Sequence, residues 1–310
     1  MARIMNDALA DADLDYFESP EQFAIEMRPT RTFDPNTDTV IAEVDDAIVG
    51  FARTEWVDTT DGNREHRVWG DVDLAWRRRG VGSALLRWNI ARSRQIAAGH
   101  ETDRPRILGS FAADTETACR ALLASAGFTE ARWFFHMVRP NLLDIPSRSL
   151  PEGIEIRPVT NDDARMVFDA DVEAFLDHWG GFDASDESFR NWIDEPDFDP
   201  SLWVVAFDGD EIAGGIINNI HAAENAALGV NRGWLDSVFV RRPWRRRGLA
   251  RALVARSLEV LAARGVDSAI LGVDADNPTG ALGVYTDNGF EVHKRLTAFR
   301  RPLAAGGNDR

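Results

Sequence analysis

A single cysteine, Cys119, stands in this chain of 310 residues. It leaves no internal disulfide available, and no Cys/His grouping has the spacing of zinc ligands, so no metal is expected. Cys119 reads as a small buried apolar side chain. Lysine is nearly absent, Lys294 being the sole one among 35 lysines and arginines, and tyrosine occurs only as Tyr16 and Tyr285. No run comes near the roughly 18 to 20 apolar residues that a membrane-spanning helix requires. Residues 1–14 also lack the basic flank and apolar centre of a secretory signal, so a cytoplasmic protein is expected. Positive charge is in deficit: the formal net charge is −16. That argues against nucleic acid or an anionic membrane as a general partner, because both need a basic face to release counterions. The 44% hydrophobic content is ordinary for a soluble globular chain, and the length allows two domains with a core each.

The arginines that are present are concentrated. Residues 234–240 (WLDSVFV) form an apolar strand, residues 241–247 a basic turn, and Gly248, Leu249 and Ala250 open an amphipathic helix that stops at Gly265. A turn reading Arg245-x-x-Gly248-x-Ala250 bends tightly enough to aim successive backbone N–H groups at one point. There the positive end of the helix dipole already favours an anion. One such turn is weak evidence of a phosphate site. Here the pattern occurs twice: residues 72–82 (VDLAWRRRGVG) align without a gap on residues 240–250 (VRRPWRRRGLA). Upstream, residues 40–51 echo residues 204–215, and Ala126-Gly127-Phe128 echoes Asn288-Gly289-Phe290. A repeat this long implies two similar domains in tandem.

Downstream of the second turn come the strand 268–273, the stretch Asp276-Asn277-Pro278-Thr279-Gly280, a short helix bearing Tyr285, and Gly289-Phe290. Together with Arg245 to Ala250 these segments resemble the GNAT superfamily of acyl-CoA-dependent N-acyltransferases. The resemblance implies an α/β (α+β) fold of two GNAT-like domains, each a mixed, largely antiparallel central sheet flanked by helices. The expected domains are 1–143 and 144–310, joined by a proline-containing linker near 141–153. The second opens with a strand at 154–159 that has no counterpart before Asn6, so either the first domain lacks its first strand or the start shown is truncated.

The implied cosubstrate is acetyl-CoA (coenzyme A). Its pyrophosphate would meet Arg245, Arg246, Arg247, Gly248, Leu249, Ala250 and Arg251, with guanidinium groups as charge-assisted partners. Its amide-rich arm would pair along Val238, Phe239 and Val240, on a strand expected to splay from the next one, with Asn277 contributing. In the first copy the matching set is Val72, Arg77, Arg78, Arg79, Gly80, Val81 and Gly82. Four residues before Gly127, however, stands Leu123, where four before Gly289 stands Tyr285, so the first domain is expected to be non-catalytic. Tyr285 is the expected acid for the departing thiolate. Asp236, on the face of Val238 and Val240 by the period of two, is the candidate base or ammonium ligand. Family members often carry an acidic residue where this chain has Trp234, which leaves the identity of the base open. His178, Trp179, Asp183 and Trp234 are expected to line the acceptor site.

The implied acceptor is a small-molecule amine. Among two-domain members the length, the repeat and residues 274–278 resemble enzymes that acetylate the cysteinyl amine of a thiol sugar. An aminoglycoside-type or other amine, and a non-catalytic acyl-CoA-binding sensor, stand as alternatives. Because the tandem already supplies a pseudo-symmetric pair, a monomer is expected.

Overall fold

The computed structural model of the chain describes residues 1–181, 183–276 and 280–304. The first series of elements is α1 (Ala2–Asp11), α2 (Pro20–Glu26), the one-turn α3 (Pro35–Asp38), β1 (Thr39–Val44), β2 (Ala47–Asp58), β3 (Arg64–Val72), α4 (Val81–Ala98), β4 (Arg106–Ala113), α5 (Thr117–Ser125) and β5 (Thr129–Arg139). The second is β6 (Ile154–Arg157), α6 (Ala164–Phe175), α7 (Asp186–Ile193), β7 (Val204–Asp208), β8 (Glu211–Asn219), α8 (Ala222–Leu228), β9 (Arg232–Val240), α9 (Leu249–Ala263), β10 (Ser268–Asp274), α10 (Ala281–Thr286) and β11 (Glu291–Pro302). Among the described residues β6 has no counterpart ahead of β1.

The chain forms two compact units that are not its two sequential halves. Unit 1 contains Met1–Trp133, Trp179–Glu187 and the stretch that opens at Leu296; unit 2 contains Phe134–His178 and Ser188–Arg295. Both long strands change unit along their length. Residues 134–139 of β5 pair antiparallel with β10, from Phe134 opposite Asp274 to Arg139 opposite Ala269. Residues 296–302 of β11 pair antiparallel with β4. Each sheet is therefore completed by a strand from the other half of the sequence. The expected boundary at 143 takes no account of this exchange, because β-pairing across 130 residues leaves no mark in local composition.

In unit 2 the strand order is β5-β10-β9-β8-β7-β6, and in unit 1 it is β1-β2-β3-β4-β11. The only parallel neighbours are β9 with β10 and β3 with β4; the other pairs are antiparallel. The alternation of faces, shifted at the bulge that leaves Ala213 of β8 unpaired with β7, sorts the unit 2 strands onto two cores. Val204, Ala206, Ala213, Ile216 and Leu235 meet Leu249, Leu253, Leu258 and Leu261 of α9. Val205, Phe207, Ile212, Ile217 and Phe239 meet Val167, Ala170 and Ala174 of α6. Leu253, Leu258 and Leu261 are fully buried, each contributing about 1.5–3 kcal/mol of apolar transfer free energy. That packing makes α9, and the turn that opens it, a rigid element. In unit 1 the equivalent core joins Val68, Leu108 and Ala112 to Leu86, Ile90, Leu123 and Phe299.

A fragment spanning 144–310 lacks the antiparallel neighbour of β10 and the buried Met137, so it should show no cooperative thermal transition. A fragment spanning 134–295 should melt cooperatively. Equal behaviour of the two in a circular dichroism melt would contradict an integral role for residues 134–139.

Candidate active site

The turn between β9 and α9 is built by local backbone geometry. A 3₁₀ turn, Arg242–Trp244, is pinned by the buried Trp244, whose Nε1 donates to Asp208 Oδ2 at 2.8 Å. Arg246 then takes φ 61° and Gly248 φ 85°, both in the left-handed region, which turns the next N–H groups to a common side. A Cβ placed on Gly248 would meet no atom within 4 Å, so the cradle is open rather than filled by protein. Unit 1 repeats the geometry, with Arg78 at φ 62°, Gly80 at φ 87° and the same open space. Both cradles fit a phosphate group. A Cβ on Gly82 would stand 3.5 Å from Leu122, ordinary contact behind the first cradle.

The arginines do not all face that space. Arg245 is spent on structure: Nε donates to the carbonyl of Val240 at 2.9 Å, Nη2 to the carbonyl of Ala174 at 2.8 Å, and Nη1 lies 2.8 Å from Asp177 Oδ2. It ties the end of α6 to the turn, and Arg242 joins it on Asp177, holding that carboxyl well below the usual range. Arg77 makes the matching contact with Asp11 at 2.5 Å. Arg79 stacks over the Trp76 ring at 4.8 Å, and Arg251 bonds Asp287 at 2.7 Å. Arg246 and Arg247 are exposed, so in unit 2 they, not Arg245, are the charges available to an anion. Leu249 is buried and Ala250 half-buried, and the half-buried Val72 and Val81 hold the matching places in unit 1. These residues can contribute backbone only.

Upstream of the cradle the parallel ladder is short. β9 pairs with β10 only from Arg232 opposite Ser268 to Trp234 opposite Ile270. Beyond Trp234 the two strands part, which leaves the backbone of Val238, Phe239 and Val240 without a ladder on that side. β3 and β4 part in the same place, after Arg67 and Gly109. On the other side of these strands the two units differ. Against β8, Ile217 faces Ser237 and Asn218 faces Leu235, so Asp236 is the extra residue of a bulge, whereas β2 and β3 pair without interruption. The bulge corrects the period-of-two expectation, since Leu235, and not Asp236, shares the α9 core with Val238 and Val240.

Asp236 turns instead toward the end of β8. Asn219 Nδ2 donates to its Oδ2 at 2.5 Å, and His221 Nε2 lies 3.5 Å from the same oxygen. The other ring nitrogen of His221, Nδ1, is 2.9 Å from Asp197 Oδ2. Burial alone would push the imidazole down, but the bonds to Asp197 and Asp236 outweigh it and raise its pKa to about 10. Trp234 is buried, donates to Glu224 Oε1 at 2.7 Å, and meets the rings of His136 and His221 edge-on at 5.7 and 6.4 Å. Glu224 is in turn paired with Arg232 at 2.9 Å. On the opposite face Ser237 Oγ donates to the buried Asp171 at 2.6 Å, and burial raises that carboxyl to about 6.

Tyr285 is buried in the α9 core and meets Phe290 edge-on at 6.1 Å. Its phenol has no hydrogen-bond partner among the described residues, and burial raises its pKa well above that of a free tyrosine. α10 is held from β5, where Arg139 donates to the carbonyls of Asn288 and of Leu143. Leu123 takes the same place in unit 1 and is equally buried. Asn277 lies outside the described residues.

Two family models match, the acetyltransferase (GNAT) domain over residues 35–130 and the acetyltransferase (GNAT) family over residues 165–290. A mycothiol acetyltransferase of Thermobispora bispora is 31% identical over 248 residues, covering 79% of this chain and 77% of its own length. One of Clavibacter michiganensis is 34% identical over 238 residues, covering 74% and 70%. This chain belongs to the GNAT acetyltransferase family. Among solved structures, a GCN5-related N-acetyltransferase from Sphaerobacter thermophilus superposes with a TM-score of 0.70 at 26% identity, over 99% of this chain and 92% of that one. A tandem GNAT protein from the clavulanic acid biosynthesis pathway has the same fold, with a TM-score of 0.65 at 18% identity over 99% and 96%.

The acceptor-site residues expected of a GNAT enzyme separate. His178 stays in unit 2 with its ring 4.2 Å from Phe175. Trp179 and Asp183 belong to unit 1, where Arg300 lies 4.0 Å over the Trp179 ring and Asp183 accepts from Ser185 Oγ at 3.1 Å. Asn219, His221, Asp197 and Asp171 went unnoticed in the sequence. His221 comes just after the end of a strand that pairs with the motif strand, which is a usable signal; Asp197 lies in an acidic stretch where nothing distinguishes it.

Glutamate at Gly248 would put bulk and negative charge into the open cradle and strain a left-handed backbone. Gly248→Glu should weaken coenzyme A binding at unit 2 by about 100-fold or more, roughly 2.7 kcal/mol. Calorimetry showing unchanged affinity there, with loss only in Gly80→Glu, would move the functional cradle to unit 1.

Proposed function

We propose that unit 2 transfers the acetyl group of acetyl-CoA to the primary amine of a small molecule, and that unit 1 carries no acetyl transfer. What supports this is one asymmetry between two otherwise matched units: only unit 2 combines the open cradle with a phenol at position 285 and a carboxylate on a bulge. Bound acetyl-CoA supplies an acetyl thioester. The ammonium group of the acceptor loses one proton to solvent; the neutral nitrogen then bonds to the acyl carbon as the C–S bond breaks, and the second proton it loses balances the one that sulfur gains, giving an amide and a thiol.

The chain's residues handle position and protons. The Gly248 turn and the exposed Arg246 and Arg247 hold the phosphates, and the free edge of β9 receives the amide-rich arm. Tyr285, kept protonated by burial, is the donor toward the departing sulfur. Asp236 presents a carboxylate to the amine. A cysteinyl amine carried on a sugar is the first acceptor to test, given the likeness to mycothiol acetyltransferases. Other small amines come after it, because acceptor choice rests on loops that vary within one fold. We further propose a monomer, which sedimentation would check.

Tyr285→Phe keeps the ring and its packing while removing the O–H. Turnover should fall by about 10²–10⁴-fold with little change in acetyl-CoA affinity. The measurement is thiol release over a panel of amines that includes cysteinyl sugars and aminoglycosides. Wild-type turnover in the variant would make the phenol a core residue and water the proton source.

A further inference from the structure

The contacts of Asp236 are one-sided. Both the Asn219 amide and the His221 ring address Oδ2, while Oδ1 has no partner among the described residues. His221 faces a carboxylate at each ring nitrogen, Asp197 at Nδ1 and Asp236 at Nε2. A neutral imidazole has one donor and one acceptor nitrogen, so two carboxylates are satisfied only by the doubly protonated ring. Both carboxylates come from other elements. Asp197 comes from the loop after α7, Asp236 from β9 and the neutral Asn219 from β8. Glu224, which accepts from the Trp234 indole, is itself paired with Arg232.

Resting on the reading that Asp236 meets the acceptor amine, we infer that His221 is a positioning residue for this acetyl transfer: as an imidazolium anchored by Asp197, it holds Asp236 by Oδ2 and turns Oδ1 toward the acceptor. The arrangement has three consequences. The carboxylate cannot rotate to offer a different oxygen, so the amine nitrogen has one place to bond. The imidazolium cancels the charge of Asp197, so the cluster carries a single net negative charge, which suits one ammonium group. With Asn219 and His221 both on Oδ2, Asp236 offers Oδ1 as a ligand that orients the ammonium group. The proton lost from nitrogen then goes to solvent. This role could not fall to residue 234, because the Trp234 indole is occupied by Glu224 and offers the amine no acceptor.

The test has two arms. Ring-proton and nitrogen NMR of the full chain, with His221→Gln used to assign the signal, should show His221 doubly protonated through pH 8, where an ordinary histidine is neutral. In Asp197→Asn the same ring should titrate at least one pH unit lower. A wild-type His221 that titrates near pH 6.5 would overturn the inference, and this arm needs no acceptor. The second arm is kinetic. His221→Phe should raise the acceptor KM at least 10-fold with the acetyl-CoA KM unchanged, and His221→Gln, which restores one donor, should recover part of that loss. Equal losses toward both substrates, or none toward the acceptor, would overturn it. If the wild type acetylates no amine at all, the functional reading fails while the NMR arm still decides the state of His221.

Discussion

The short parallel ladder between β9 and β10 is the constraint on which the site depends. It stops at Trp234 and Ile270. Had it continued, the backbone of residues 235–240 would be consumed by sheet bonds, and nothing amide-rich could lie along it. Because it stops, one edge of β9 is open at the point where the strand runs into the left-handed turn of Arg246 and Gly248. Packing keeps it so: α9 fixes one face through Leu253, Leu258 and Leu261, and α6 fixes the other through Val167 and Phe239. The gap is held by two cores and does not rely on a ligand.

The two units share a scaffold and differ in the side chains around it. Arg77 with Asp11 and Arg245 with Asp177 are the same tertiary contact made twice, and both cradles share their left-handed residues. The units part company at three positions. Unit 2 has a bulge at Asp236 where β3 runs straight, a phenol where unit 1 has Leu123, and a charged cluster around His221. Unit 1 instead buries Asp71, raised to about 7 by burial and by Glu116, and Cys119, raised to about 12 by burial. A thiol that reluctant to ionise is a poor nucleophile, and Cys119 is half-buried where the sequence suggested a fully buried side chain.

Much of this was legible in the residues. The cradles and the order of elements rest on patterns confined to neighbouring positions, the repeat on two such stretches that align without a gap, and the splay on the family resemblance. What local pattern does not carry is pairing over long distances. The exchange of β5 and β11 was invisible because a strand's sequence fixes its two faces but not its neighbours. The bulge was invisible for a related reason: it inserts one residue relative to a partner strand, and so it reversed the face assigned to Asp236. Arg245 was read as a phosphate ligand because its position in the motif invites it, yet the end of α6 claims its guanidinium. His221 gains its role only from Asp197 and Asp236, which lie 24 residues before it and 15 after. Trp179 and Asp183 are adjacent to His178 in sequence but belong to the other unit.

The central claim is that coenzyme A is held where β9 leaves β10 and runs into α9. Hydrogen–deuterium exchange of the full chain with and without coenzyme A tests it directly. Slowed exchange should cover the backbone amides of residues 238–251, with the strongest effect at the first turn of α9. Protection confined to residues 72–82, or absent from both turns at saturating coenzyme A, would contradict the account.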